Sequence, residues 1–245
     1  MLPLVMGIMA GSILSGQFIA RTGRYRIFPI VGIALLVLSM VLLSRITVDT
    51  SMVVVDIFGF IFGLGLGFNM QTLVLAIQNA VPPQDMGVAT SSATFFRQMG
   101  GTLGTAVFLS ALFNAVPDKI ANAFQAASTD PAFLAAIKSP EVLANPANKA
   151  ILSGLANPAA AGASTSGVLS DSSFLNSLSP AVARPFLVGF AEASDLVFML
   201  GAGVLVVALA IVWFLPEEKL RTSSGIDAQN EAKAEAAEAA AAAIG

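Results

Sequence analysis

Met52–Ala80 reads MVVVDIFGFIFGLGLGFNMQTLVLAIQNA, an apolar run broken by one carboxylate and a few amides. Crossing a bilayer as a helix takes about 20 mostly apolar residues. Lipid offers no partner to backbone N–H and C=O groups, so such a segment must be helical. It exceeds the minimum length, which predicts tilt or protruding ends. Its glycines do not form a dinucleotide loop, because Gly63-Leu-Gly65-Leu-Gly67 lies inside the apolar run and opens no strand-to-helix turn.

Working outward, Leu2–Ala20, Ile27–Ser44, Val88–Phe113 and Phe190–Leu215 meet the same test. The sequence therefore predicts an all-α integral membrane protein with about five transmembrane helices. Composition agrees: 56% of residues are apolar, 11% are charged and the mean hydropathy is +0.82. Soluble domains carry about 25% charged residues. The net charge is -3, and no basic patch is dense enough to neutralise a phosphate lattice, so no nucleic-acid partner is expected. The chain has no Cys and no His, which removes disulfides, thiol nucleophiles, a Ser-His-Asp triad and the usual zinc and haem ligands. No cofactor and no enzymatic chemistry are expected, and any proton chemistry falls to carboxylates.

The N-terminus predicts a membrane helix and not a secretory signal. Met1–Ala20 has no basic region before it and runs directly into Arg21-Thr-Gly-Arg24-Tyr-Arg26. Those arginines place the first connection in the cytoplasm, and Lys219 and Arg221 after the last apolar stretch place that end there too. The expected topology has the N-terminus outside and the C-terminus inside the plasma (inner) membrane. Residues 114–189 then form a long extracytoplasmic segment cut by prolines, with short helices at Ile120–Ala127 and Ala132–Ile137 and a small, flexible stretch at Ala159–Gly167. It reads as a connector on the membrane surface, with a gate or recognition lid as the sharper alternative. Residues 216–245 form a polar, then alanine-rich, cytoplasmic tail to which no function is assigned.

Small residues recur at helix-packing spacing: Gly7 and Gly11; Gly59, Gly63 and Gly67; Gly100, Gly101 and Gly104. Close backbone approach is a main source of helix association in lipid. Polar residues are more telling. At about 100° per residue, Asp56, Gly63, Gly67, Gln71 and Gln78 share one face of the third helix, with Asn69, Thr72 and Asn79 opposite. In the fourth, Thr90, Ala93, Arg97, Gly101 and Gly104 form one stripe. Arg97 lies roughly 15 Å along its helix, near the bilayer midplane, where an arginine must face protein or water. It reads either as a structural pin or as a charge tied to substrate, gating or protons. Asp56 is nearer the outer surface, and Glu192 and Asp195 read as helix-start charges.

Gly16-Gln-Phe-Ile-Ala-Arg21-Thr-Gly23-Arg24 resembles the loop signature of the major facilitator superfamily, with Ala20 where the signature has Asp. Gly63 to Asn69, Gln78 to Pro82, Gly87 to Ser92 and Phe96-Arg97-Gln98-Met-Gly100-Gly101 are similar to the fourteen-helix drug:proton antiporter branch. The resemblance implies helices ten to fourteen of a partial C-terminal bundle, lacking the N-terminal half and its proton-coupling carboxylates. It implies a hydrophobic small-molecule substrate, protons as the coupling ion, and partners in membrane lipid and the N-terminal half. Arg97, Asn69, Gln71, Asp56 and Gln98 become the residues expected along a substrate or proton pathway. The expected function is the C-terminal portion of a multidrug exporter, inactive without the other helices. The competing expectation is a non-transporting accessory subunit that packs through its glycine faces.

Overall fold

The computed structural model describes residues 1–148, 151 and 172–215. The stretch at Ala159–Gly167 and the tail at 216–245 lie outside the described residues. The long helices are α1 (Leu2–Thr22), α2 (Ile27–Leu43), α3 (Met52–Ala80) and α4 (Met86–Ala127). Two short helices, α5 (Pro131–Ile137) and α6 (Pro140–Ala144), precede the last long helix, α7 (Pro180–Trp213). No strand occurs among the described residues. Four helix spans are long and apolar enough to cross a membrane, and α2 is shorter at 17 residues. That length sits at the lower limit of about 17 for a spanning helix. The last turn of α2 tightens, with Arg45 N–H donating to Leu42 O at 3.1 Å and Ile46 N–H to Leu43 O at 3.2 Å.

The chain divides into two compact units. Of the described residues, the first comprises Met1–Met40, Asp56–Gly104 and 202–215. Its centre is α3, and the sequence explains why. Gly63 and Gly67 lie one turn apart, whereas Gly65 is about 200° round from Gly63. The alternating glycines therefore open two opposite grooves. On one face α1 docks through its four-residue stripe of Gly7, Gly11, Ser15 and Ile19. A Cβ at Gly63 would strike Leu4 O, one at Gly67 would strike Ile8 O, and one at Gly11 would lie 2.5 Å from Leu64 O. On the other face α2 docks, where a Cβ at Gly65 would lie 2.6 Å from Gly32 O and Ser39 Oγ donates to Phe58 O at 2.8 Å. Small residues are buried in these seams, while Met6, Ile13, Phe18, Val31 and Leu38 point outward. This inside-out pattern suits a solvent of lipid tails.

The second unit comprises Val41–Val55 and Thr105–Gly201. Here helix bounds depart from the sequence expectation. α4 does not stop at Phe113 but continues through Pro117 to Ala127, and α7 starts at Pro180, not at Phe190. Ile120–Ala127 is thus the end of α4 and not a separate helix. The cause is packing: Val116, Ile120 and Phe124 recur every fourth residue and bury against Val182, Ala183, Phe186 and Ala193. A segment apolar on one face only fails a hydropathy test for spanning, yet remains helical when its partner continues beside it. At the closest approach a Cβ on Gly189 would lie 2.6 Å from Ile120 Cα. Phe124 and Phe186 meet edge to face at 4.9 Å. Val142 of α6 and Leu178 complete the core, with Phe133 and Ile137 of α5 packed against it. The described residues of the 114–189 stretch thus share a hydrophobic core with Ala193 further along α7.

Buried Asn148 ties this core together. Its Nδ2 donates to Val142 O and Ser179 Oγ, both at 3.0 Å, and its Oδ1 accepts from Ser179 N–H at 3.1 Å. Among its described residues the unit carries two exposed ion pairs, Arg184–Asp49 at 2.8 Å and Lys119–Glu192 at 3.4 Å. Glu192 and Asp195 lie well inside α7, so they are not helix-start charges. The helix begins further upstream than its hydropathy suggests.

Candidate functional site

α3 and α4 are joined by a tight connection through the short 3₁₀ turn Pro83–Asp85, in which Asp85 N–H donates to Pro82 O at 3.0 Å. The turn reverses the chain and sets the end of α3 beside the start of α4. Gln78 Nε2 donates to Thr90 Oγ1 across the pair at 3.3 Å. Around this contact lies a shallow, open depression lined by Gln78, Met86, Gly87, Thr90, Ser91 and Thr94. One turn further along α4, a void of about 20 Å³ brings Thr90, Ala93, Thr94 and Arg97 against Val74 and Ile77 of α3.

The hydroxyls of the depression are anchored to their own helix. Thr94 Oγ1 donates to Thr90 O at 2.9 Å, and Ser91 Oγ to Val88 O at 3.0 Å. A hydroxyl spent in this way keeps its oxygen lone pairs available as acceptors. Arg97 is exposed and makes no hydrogen bond or ion pair among the described residues. The arrangement offers one permanent positive charge, an amide and acceptor oxygens on an otherwise apolar wall. Such a wall orients a ligand by a few polar contacts and shape. Its lining residues include no carboxylate.

The other residues expected along a pathway do not gather here. Gln71, Gln98 and Asp56 are exposed at separate positions on α3 and α4. Asn69 lies in the seam with α2: Nδ2 donates to Gly65 O at 2.8 Å, while Oδ1 is buried without a partner among the described residues. It packs between helices and does not line the depression. Among the glycines, Gly63 and Gly67 sit at close helix contacts. Gly16, Gly59 and Gly100 have open space where a Cβ would be, and Gly101 is exposed. Gly104, next on that stripe, is half-buried. Gly23 adopts φ 69° and ψ 2° at the end of α1, where a glycine is favoured, and its N–H donates to Ile19 O at 2.8 Å. Arg21 and Arg24 are exposed.

Sequence reasoning missed Gln78, Thr90 and Thr94 as a cluster. Thr90 lies two turns before Arg97 on the same stripe, but its pairing with α3 depends on the reversal at Pro82–Pro83, which periodicity within one helix does not reveal. Gly32 and Gly65 were also missed as packing residues. The signal was the alternating G-x-G-x-G, which on a helix means two faces.

Comparison with known proteins finds a likeness over the first part of the chain. The sequence model described as Major Facilitator Superfamily matches residues 1–105. Over that stretch the chain is similar to the major facilitator superfamily. An uncharacterised transporter of this superfamily from Mycobacterium tuberculosis is 37% identical over 142 residues, covering 58% of this chain and 20% of the relative. A tetracycline resistance determinant of Streptomyces rimosus is 26% identical over 94% of this chain and 66% of its own length. A multidrug transporter of Bacillus subtilis is 38% identical over 47% of this chain and 21% of its own length. The chain thus spans about a fifth of the length of these mycobacterial and Bacillus relatives. No solved structure is a significant match.

Proposed function

We propose that this chain works as the C-terminal portion of a proton-coupled exporter of drugs or other hydrophobic small molecules. In this reading it belongs to the fourteen-helix drug:proton antiporter branch and acts only together with N-terminal helices. The observation that carries the reading is exposed Arg97 in the middle of α4, two turns from the Gln78–Thr90 contact between α3 and α4. A guanidinium well inside a spanning helix is costly in lipid, so this face meets a second bundle across a water-accessible cavity. Transporters of this architecture bind substrate between two halves and alternate access by rocking one against the other. Names of the relatives, a tetracycline resistance determinant and a multidrug transporter, support lipophilic substrates.

In this mechanism Arg97 supplies the fixed charge that a carboxylate of the other bundle neutralises when deprotonated. Protonation of that carboxylate releases the pairing and lets the two walls separate. Gln78, Thr90 and Thr94 orient the substrate by hydrogen bonds. The experiment is efflux of a lipophilic cation by the full-length gene product in cells, with and without an uncoupler. Uncoupler-sensitive efflux supports the reading; energised efflux that ignores an uncoupler rejects proton coupling.

A further inference from the structure

The turn between α1 and α2 displays its arginines on a rigid mount. Gly23 ends α1 in the left-handed conformation, and Tyr25, only 2% exposed, is sunk into a cluster with Ile19 and Ala76. Phe28 and Leu75 pack against that cluster. With Tyr25 fixed inward, Arg24 is held outward, as is Arg21 in the last turn of α1. Arg26 reaches across to α7, its Nη2 donating to Trp213 O at 2.9 Å. Trp213 is the sole tryptophan of the chain and is 62% exposed. α1 and α2 contain no acidic residue, and the ion pairs found among the described residues, Lys119–Glu192 and Arg184–Asp49, lie elsewhere. Among the described residues Arg21 and Arg24 pair with no carboxylate, and their turn is tied through Arg26 to a tryptophan at the end of a spanning helix, the level at which such rings meet lipid headgroups.

We propose that the α1–α2 turn is a binding site for the headgroup of an anionic phospholipid, with Arg21 and Arg24 on the phosphate oxygens. The planar guanidinium fork matches a phosphate's geometry, and the fixed turn removes the ordering cost that flexible arginines would carry. The site needs only the membrane placement of the chain and stands apart from transport.

Trp213 provides the readout. The chain is reconstituted in phosphatidylcholine vesicles containing phosphatidylglycerol, with bromine on the acyl chains of one lipid or the other. Brominated phosphatidylglycerol should quench Trp213 beyond its share of the bilayer, and raised salt should shrink that excess. Arg21→Gln/Arg24→Gln should remove the excess, by roughly fivefold per charge in local enrichment, while Arg21→Lys/Arg24→Lys keeps most of it. Quenching by brominated phosphatidylcholine in the same variants reports whether Trp213 is still seated in the membrane. Equal quenching by both lipids in the wild type overturns the proposal, as does an excess that the glutamine pair leaves intact. An excess that emerges only after Glu217→Gln/Glu218→Gln also overturns it, assigning the arginines to the chain's own acidic residues.

Discussion

Arg97 and the glycines of α3 pose opposite problems at the scale of single residues. Arg97 is a large charge with open space around it; Gly63 is an absence that a neighbouring backbone fills. Under the proposed function, Arg97→Ala in the full-length gene product should cut efflux at least tenfold with normal abundance in the membrane, and Arg97→Lys should restore only part. Lysine keeps the charge but not the fork that holds two acceptors at once. Normal transport by Arg97→Ala would make the residue a tolerated structural one, and a collapse in abundance would make it a packing residue. For Gly63, the added Cβ of Gly63→Val would strike Leu4 O, a backbone atom that cannot rotate away. Overpacking of this sort costs about 1–3 kcal/mol, so the thermal midpoint in detergent should fall by several degrees. Gly59→Ala meets nothing within 4 Å and removes a flexible helix residue, so it should leave the midpoint unchanged or raise it slightly. Equal losses in the two variants would show that the seam is not what holds α1 to α3.

Whole elements show how far the sequence could be read. α1 and α3 were legible to within a few residues, because their apolar runs end where their spanning lengths end. α4 and α7 were not. Beyond Phe113 and before Phe190 the two helices turn only one face to apolar partners, and their mean composition is that of a loop with prolines. What keeps them helical is the contact of Val116, Ile120 and Phe124 with Val182, Phe186 and Ala193, residues far apart in sequence. The depression at Gln78 and Thr90 was hidden for the same reason: each half sits on a different helix. Arg97, by contrast, could be found from one helix alone, since a charge amid apolar neighbours is conspicuous. Asn148→Ala should expose the α4–α7 extension. It leaves the Val142 carbonyl and the Ser179 N–H without their shared partner, a loss of about 1–3 kcal/mol. Limited proteolysis should then cut between Ala127 and Pro180 several-fold faster, with α1 to α3 still protected. Unchanged cleavage would mean that the extension does not depend on that amide.

At the scale of the molecule, topology is the prediction to check first. With no native cysteine, Thr50→Cys and Ser166→Cys should react with an impermeant thiol reagent in intact cells, and Thr22→Cys and Ser224→Cys only after the membrane is opened. Thr22 is preferable to Gly23, whose φ of 69° a side chain would strain. Labelling of Thr22→Cys in sealed cells would invert the orientation. The two compact units also differ in when they can be made. The seams of α3 with α1 and α2 are complete once Ala80 has been synthesised. The core of the second unit is not, because Phe124 must wait for Val182, roughly 60 residues later, or several seconds at about 5–20 residues per second. During that interval Val116, Ile120 and Phe124 leave the translocation machinery with their partners still untranslated. The extension of α4 is therefore the part of the nascent chain most exposed to holding chaperones and proteases, and slow codons between them would lengthen that exposure.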